Sequence, residues 1–258
     1  MELDIAVRLE YGVSAPVDLL LQIEAAALDD QRIIQAELYT GWAGDGWAIM
    51  AESDVGRRLW FQVQNDFVCN YTARVAIERQ TPDLANLSQV LPRNLPGEVV
   101  RYLMPSRFCP SDEFQTFVNA EFGDSTGGAR VLALRDWIEA RFAYLPGVSG
   151  PQTTALDTFV QRQGVCRDFA HVLITMARAS TIPARFASVY APDVDPPDFH
   201  AVAEVYLDDA WHLVDPTGMA DPSTIAKIGV GADAADVAFM TSFGAMMLRW
   251  QQVSVSRV

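Results

Sequence analysis

The chain has 258 residues, half of them hydrophobic, and a formal net charge of −14. This length suits one large domain or two modest ones, and the apolar share is enough to build real cores. The acidity argues against nucleic acid and anionic membrane as partners, since both require a basic surface. The sequence has no apolar run of about 18 residues, so we expect no transmembrane helix.

The N-terminus and the cysteines both indicate a reducing compartment. Residues 1–5 lack the basic segment and apolar segment of a signal peptide, so we predict a cytoplasmic location. The three cysteines, Cys69, Cys109 and Cys166, cannot all pair, and none stands in a CxxC motif. Free thiols in this pattern are typical of proteins that carry no disulfide framework.

The first hundred residues show the alternation of β-strands. Apolar residues alternate over 59–63 and again over 67–77, with Asn65-Asp66 as a plausible turn between them. This pattern predicts a hairpin with one buried face, which would place Cys69 in the core. Residues 19–27 fit a short helix or an apolar strand equally well. The region as a whole predicts a small antiparallel sandwich or barrel.

A proline-rich, non-repetitive stretch separates this β region from the rest of the chain. Its prolines are Pro92, Pro96, Pro105 and Pro110. We therefore predict an N-terminal β domain over residues 1–108 and a second domain over residues 109–258. Cys109 lies at this boundary, where a proline-flanked thiol is expected to be packed rather than reactive.

The second domain has helical periodicity first and strand periodicity afterwards. Thr154 is a candidate N-cap and Gly164 a candidate residue just beyond a helix end. Helices followed by an antiparallel sheet give an α+β layout. The predicted helices cover residues 112–122, 129–143, 154–163 and 166–179, and the predicted strands cover 184–190, 200–207 and 211–215.

Cys166 stands where a helix begins, directly after Gly164-Val165. The start of a helix offers unpaired backbone N–H groups and the positive end of the helix dipole, and both favour the reactive thiolate. The same N–H groups are suited to hold the oxyanion that forms when a thiolate attacks a carbonyl. Apolar residues at Phe169, Val172 and Leu173 would anchor the helix that carries this thiol.

The chain has three histidines, and the pattern around each predicts a different role. His171 follows Cys166 by five residues, about 500° of helical rotation, so the two side chains should diverge. His212 alternates with Trp211 and Leu213, which predicts a solvent-facing or satisfied polar residue. His200 opens a predicted strand and is the candidate base.

The strands around His200 predict a partner for its imidazole. If residues 200–207 and 210–217 form a hairpin with Asp208-Asp209 as the loop, Asp215 is the diagonal neighbour of His200 on the same face. A carboxylate there would fix the tautomer of the imidazole and stabilise its protonated form. Glu204 lies on the same face and is the second candidate for this role.

The motifs Gly164–His171, Ile182–Arg185, Phe199–Ala201 and Asp215–Thr217 together resemble the bacterial transglutaminase-like family of the papain-like Cys-His-Asp superfamily. The resemblance covers roughly residues 130 to 220, and 231–237 is similar to the closing segment of the family. It implies a papain-like core of helices packed on an antiparallel sheet, often preceded by an all-β domain. By this resemblance Cys166 is the nucleophile, His200 the base and Asp215 the orienting residue, while Asp168 stabilises the helix start.

The resemblance implies a thiol enzyme that transfers an acyl group from an amide or peptide bond, with a protein or peptide as substrate. We favour hydrolysis over transamidation, because the sequence shows no calcium-site spacing. The alternatives are other chemistry on the same residues, such as peptide N-glycanase or acyltransferase activity, and a non-catalytic protein-binding module.

No cofactor or metal is predicted. A zinc site built from Cys166 and His200 would lack two further ligands at recognisable spacing. The acidic stretch 193–198 lacks the glycine and distal glutamate of an EF-hand, so we interpret it as a loop beside the active site.

Overall fold

A computed structural model describes residues 1–44 and 46–258. The α-helices are α1 (Gly97–Val100), α2 (Gln115–Phe122), α3 (Gly127–Arg141), α4 (Ala155–Gln161) and α5 (Cys166–Ala179). The strands are β1 (Glu2–Val13), β2 (Val17–Leu21), β3 (Gln31–Tyr39), β4 (Trp47–Met50), β5 (Arg57–Val63), β6 (Phe67–Ile77), β7 (Ala143–Tyr144), β8 (Gln163–Gly164), β9 (Ala184–Tyr190), β10 (His200–Leu207), β11 (Ala210–Val214), β12 (Ala226–Gly231), β13 (Met240–Ser242) and β14 (Met246–Arg257).

Two antiparallel sheets form a sandwich. One has the strand order β14-β1-β6-β3 and the other β13-β2-β5-β4. Alternate residues of β1, β5 and β6 point into a shared interior, where Cys69 is fully buried. The predicted sandwich is therefore present, and the ambiguous segment 19–27 begins as the strand β2.

The predicted hairpin of residues 59–63 and 67–77 is wrong. These segments are the strands β5 and β6, but they belong to opposite sheets and each pairs with other strands. Phe61 and Phe67 face each other across the interior, with ring centroids 5.9 Å apart. Alternation shows only that a strand has one buried face, and both sheets of a sandwich bury theirs against the same core.

The last strands of the chain complete the sandwich. β14 pairs with β1 along nearly its whole length, and β13 pairs with β2. Residues 240–257 therefore belong to the sandwich and not to the core, contrary to the predicted extent of the second domain. The domain boundary near residue 108 stays a prediction, because a domain is defined by its ability to fold on its own.

The α+β core is built on the antiparallel sheet β11-β10-β9-β12. Every residue of β9 and β10 is buried, because α5 packs on one face of these strands and the sandwich side covers the other. Helix α5 is central, with Phe169, Val172 and Leu173 almost wholly excluded from solvent. Burial of each such side chain contributes about 1.5–3 kcal/mol, so this helix is a firm platform for Cys166.

None of the described helices has the length and apolar character required to cross a membrane.

Candidate active site

Cys166 is the first residue of α5, as predicted, and its side chain is half-buried. The Asp168 carboxylate caps the same turn: it accepts a hydrogen bond from the Val165 backbone N–H at 2.9 Å and one from the Ser149 hydroxyl at 2.5 Å. Arg167 makes an ion pair with it at 2.7 Å. Asp168 therefore stabilises the helix start, as predicted, and its side chain is fully used by these contacts.

Gly164 does not end α4, contrary to prediction. The helix ends at Gln161, and Arg162 takes the left-handed conformation, with φ of 58°. Gly164 lies in β8 instead, and a Cβ added there would come within 2.7 Å of the Asp168 Cβ. The glycine is required because the chain passes directly over the side chain that caps α5.

Replacing Gly164 with alanine is expected to displace Asp168 and loosen the start of α5. We expect a loss of about 1–3 kcal/mol in the free energy of unfolding, the usual cost of overpacking, and slower alkylation of Cys166. Urea denaturation and alkylation rates measure the two effects. Gly97→Ala is the control, because its added Cβ would meet open space; equal stability of the two variants would contradict the prediction.

The hairpin that carries His200 has the predicted register. Leu207 pairs with Ala210, and Ala203 pairs with Val214, so Asp215 follows directly after β11. His200 Nε2 lies 2.9 Å from Asp215 Oδ2. Both side chains are buried, so solvent does not weaken the contact.

The Asp215 carboxylate is held in place by further donors. Oδ1 accepts from the backbone N–H and the hydroxyl of Thr217, at 2.8 and 2.7 Å, and Oδ2 accepts from the Ala220 N–H at 2.8 Å. Burial opposes the charge of this group, but the hydrogen bonds from His200 and Thr217 lower its pKa nonetheless. The carboxylate is thus ionised and fixed in orientation.

The His200 imidazole lies between Asp215 and Cys166. Burial disfavours the protonated ring, but the hydrogen bond to Asp215 and the nearby charges of Cys166 and Asp215 outweigh it and raise the pKa of His200 to about 10. Since Nε2 is taken by Asp215, Nδ1 is the nitrogen left for the thiol, and it makes no hydrogen bond to any of the described residues. The arrangement favours a protonated imidazole beside the sulfur.

Glu204, the second candidate for orienting His200, is engaged elsewhere. Its carboxylate makes ion pairs with Arg185 at 2.7 Å and with Lys227 at 3.1 Å, all in the protein interior. Burial opposes its charge, but the two cations lower the pKa of Glu204 to about 2. The Arg185 guanidinium in turn lies over the Trp211 ring, 4.1 Å from its centroid. Glu204 is therefore part of a buried ionic cluster of β9, β10 and β12.

The remaining histidines lie away from the thiol. His171 is buried between Phe108 and Phe186, where burial lowers its pKa to about 3 and its Nε2 accepts the Ala234 N–H at 3.2 Å. His212 is half-buried and its Nε2 donates to the Leu207 carbonyl at 3.1 Å. Both positions agree with the packing and hydrogen-bonding roles predicted for them.

The other two cysteines differ from Cys166 in their surroundings. Cys69 is buried in the sandwich and Cys109 in the helical core, as predicted. Burial raises the pKa of each thiol to about 12. Neither thiol can therefore compete with Cys166 as a nucleophile at neutral pH.

Tyr144 was not predicted as a site residue, yet it lies beside the segment that leads into Cys166. β7 and β8 form a short parallel pair that places Tyr144 opposite Gly164. Burial, and after it the nearby charge of Cys166, raise the pKa of Tyr144. Two-residue strands leave no periodic signal in a sequence, so only the fold brings this tyrosine to the thiol.

Asp198, in the loop before His200, is in contact with the sandwich. The Gln251 side chain of β14 donates to the Asp198 carboxylate at 2.7 Å. Burial is the main cause that raises the pKa of Tyr11, a residue of β1, and the negative charge of Asp198 is the second. The same charge also raises the pKa of Tyr144. The loop before His200 thus connects the sandwich with the strand that carries His200.

A cavity of about 780 Å³ lies behind Asp215, between α3, β11 and the loop after β6. Its lining includes Asp215 and His212 but neither Cys166 nor His200. A molecule bound there would not meet the sulfur, so a substrate must approach Cys166 from its exposed side. Among the described residues, no group of three histidine, cysteine or acidic side chains is arranged to hold a metal ion.

Residues 116–216 match the family model of the transglutaminase-like superfamily, a range that contains Cys166, His200 and Asp215. The crystal structure of "a Putative Cysteine Protease from Cytophaga hutchinsonii" is 32% identical to this chain. It superposes with a TM-score of 0.91 over 99% of this chain and 90% of the other. The chain belongs to the transglutaminase-like superfamily. The resemblance stated from the motifs is thereby confirmed, as is the mixed fold of helices and antiparallel sheets.

Two further relatives of this superfamily member match less of its length. An uncharacterized protein of Mycobacterium leprae is 32% identical over 117 residues, which are 42% of this chain and 42% of that protein. The periplasmic domain of TgpA from Pseudomonas aeruginosa, bound to ethylmercury, is 20% identical, with a TM-score of 0.46 over 83% of this chain and 77% of the other. The latter likeness is too low to support an argument about function.

Proposed function

We propose that this member of the transglutaminase-like superfamily is a thiol enzyme that transfers the acyl group of an amide or peptide bond through Cys166, His200 and Asp215. The observation that carries the proposal is the position of the His200 ring. Its Nε2 is bonded to a buried carboxylate at 2.9 Å, and Nδ1 is left for the Cys166 thiol. An oriented base beside a thiol at a helix start is the requirement for nucleophilic catalysis.

The chemistry follows from the protonation states at the site. The high pKa of His200 favours an imidazolium beside a Cys166 thiolate. The thiolate attacks the amide carbonyl, and His200 then gives its proton to the leaving amine. Asp215 keeps the ring in one orientation and stabilises its positive charge throughout.

Water or an amine completes the reaction by attack on the thioester. Hydrolysis is favoured, in keeping with the sequence prediction, and the half-buried position of Cys166 leaves the thioester open to solvent. A protein or peptide is the proposed substrate, because amide bonds held in an extended chain can reach a thiol at the surface. A cytoplasmic location stays a prediction.

Acylation by 4-nitrophenyl acetate tests the proposal. We expect a burst of 4-nitrophenolate equal to one per chain, with one acetyl group on the Cys166 peptide by mass spectrometry. Cys166→Ala should abolish the burst, since the other two thiols are buried. Cys69→Ala, which removes a thiol outside the site, should retain it.

Turnover of an amide is then measured with a pool of quenched fluorescent peptides, with and without an added primary amine. Cleavage that requires Cys166 supports hydrolysis, and incorporation of the amine into the peptide supports transamidation. A wild-type protein that shows neither the burst nor any Cys166-dependent product would refute the enzyme proposal and leave the binding module as the explanation of the fold.

A further inference from the structure

The Asp215 carboxylate is held by the turn that follows it in the chain. The backbone N–H and the hydroxyl of Thr217 and the N–H of Ala220 donate to its two oxygens, at distances of 2.7–2.8 Å. The Met219 N–H in turn donates to the Thr217 hydroxyl at 3.3 Å. Gly218 allows the turn to fold back, because its φ of 71° lies in the left-handed region. The direction of the carboxylate therefore depends on where the backbone of this turn lies.

Packing does little to fix this turn from behind. Gly218, Ala220 and Pro222 line the cavity of about 780 Å³ that also reaches Asp215. Atoms that border a cavity have no packing partners on that side, so van der Waals contacts do not set their position there. The turn is therefore fixed by its hydrogen bonds and by the chain that continues from it.

Arg79 holds the chain that continues from the turn. Its Nη1 donates to the carbonyl of Pro222 at 3.1 Å and to the carbonyl of Ile225 at 2.8 Å. Its Nε donates to the Asp30 carboxylate at 2.5 Å, and this ion pair keeps the guanidinium in place. The Arg79 side chain is only 9% exposed, so water competes weakly for these bonds.

Both members of this ion pair belong to the sandwich. Asp30 comes directly before β3, and Arg79 is the second residue after β6. The two strands pair beside them, with Gln31 opposite Ile77, and the Glu78 N–H donates to the Asp30 carbonyl at 2.9 Å. The guanidinium is thus mounted on the sandwich and binds a loop of the α+β core.

The segment between the catalytic carboxylate and the guanidinium is short and stiff. The Ala220 N–H, which binds the carboxylate, and the Pro222 carbonyl, which binds the guanidinium, are two residues apart, at most about 7 Å of extended chain. The Asp221 carboxylate accepts from the Ser223 N–H at 2.8 Å, and Pro222–Thr224 forms a turn of 3₁₀-helix. A displacement at Pro222 therefore moves the Ala220 donor as well.

We propose that Arg79 is a positioning residue for Asp215, through which the sandwich keeps the catalytic carboxylate against His200. This inference rests on the proposed function and deepens it. Arg79 contacts neither the sulfur nor a substrate, and it acts by fixing the loop whose N–H groups orient the carboxylate. The sandwich thereby has a part in catalysis as well as in the stability of the fold.

The histidine rings report this role directly. The chain has three histidines, so ¹⁵N-histidine labelling gives three rings to follow by NMR. Burial disfavours the protonated His200 ring and the hydrogen bond to Asp215 raises its pKa, so a displaced carboxylate should let the ring lose its proton at lower pH. In Arg79→Met we expect this midpoint to fall by about 1 pH unit. Acylation of Cys166 by 4-nitrophenyl acetate should slow about 10–100-fold, since a misplacement of about 1 Å costs up to about 100-fold.

Two further variants separate positioning from a purely structural role. Asp30→Asn removes the ion pair but leaves the bonds of Arg79 to the two carbonyls, so it should keep the wild-type acylation rate and His200 titration even where urea denaturation shows a loss of stability. Arg79→Lys keeps a positive charge beside Asp30 but not the planar fork of donors. It should therefore shift both readouts in the same direction as Arg79→Met, and it decides the test if the methionine variant does not fold.

Each outcome supports or refutes the role of Arg79. If Asp30→Asn and the Arg79 variants change acylation and the His200 titration equally, Arg79 acts only through the stability of the sandwich, and the positioning role is refuted. It is also refuted if folded Arg79 variants keep the wild-type rate and titration, while a Cys166-dependent burst in the wild type still supports the proposed function. If the wild type shows no burst, the proposed function fails; a lower His200 midpoint in Arg79→Met then still supports the link to Asp215, and an unchanged midpoint overturns it.

Discussion

Alkylation of Cys166 is expected to slow about 100-fold at pH 6.5 when His200 is replaced with alanine. The pKa of His200 is about 10, so its imidazolium stabilises the thiolate throughout the neutral range. A cysteine without such a partner has a pKa of about 8.5 and is about 1% ionised at pH 6.5. The difference should shrink as the pH rises, because the variant thiol ionises and the wild-type imidazolium loses its proton near pH 10.

Iodoacetamide labelling of each cysteine, read by mass spectrometry between pH 5 and about 10, measures this effect within one molecule. Cys69 and Cys109 are internal controls, since burial raises the pKa of each to about 12. His212→Ala removes a half-buried imidazole elsewhere on the same hairpin and should leave the Cys166 profile unchanged. A wild-type Cys166 that labels as slowly as the two buried thiols would contradict the activated pair.

Replacing Glu204 with glutamine is expected to lower the free energy of unfolding by about 3–5 kcal/mol, the cost of removing one partner from a buried ion pair. The change keeps the volume of the side chain but leaves the Arg185 and Lys227 charges buried without a counter-charge. Cys166 should still alkylate at the wild-type rate, because Asp215 and not Glu204 contacts His200. Urea denaturation at pH 7 and the labelling assay measure the two effects.

The pH dependence of this effect has a definite sign. The pKa of Glu204 is lowered to about 2 from an ordinary value near 4.5. The contribution of its ionised carboxylate to the free energy of unfolding is therefore complete above the pKa of the unfolded state and is lost as the pH falls toward 2. The stabilities of the wild type and the variant should thus converge in acid. Glu37→Gln, at an exposed glutamate of β3, is the control. A loss of Cys166 labelling in Glu204→Gln would instead make Glu204 the orienting residue.

The positions of Cys166, His200 and Asp215 could be predicted because local rules determine each of them. A two-residue loop at Asp208-Asp209 fixes the register of the hairpin, and a one-residue slip would send the two side chains to opposite faces. The start of α5 follows from its apolar periodicity and from the carboxylate of Asp168 in the first turn. Local signals of this kind can be recognised in a single sequence.

Apart from the end of α4, where Arg162 and not Gly164 takes the left-handed conformation, the errors concern partners that are distant in the chain. Alternation in β5 and β6 shows that each strand has a buried face but does not show to which sheet the strand belongs. Strand β14 lies beside β1, and no local pattern links segments so far apart. Tyr144 and Lys227 reach their partners only through the folded sheet, so neither the tyrosine at the thiol nor the second cation on Glu204 could be predicted.

The pairing of β14 with β1 has a consequence for the order of events during synthesis. The backbone N–H of Val258 donates to the carbonyl of Glu2 at 3.1 Å, so β1 cannot complete its pairing until β14 has been synthesised. The strands of the core sheet, by contrast, lie within residues 184–231 and can pair while translation continues. Contacts this distant in sequence are slow to form, and until they do β1 has an open edge that neighbouring nascent chains can join. Pairing of β14 with β1 therefore comes after the core sheet, the platform for Cys166, can already have formed.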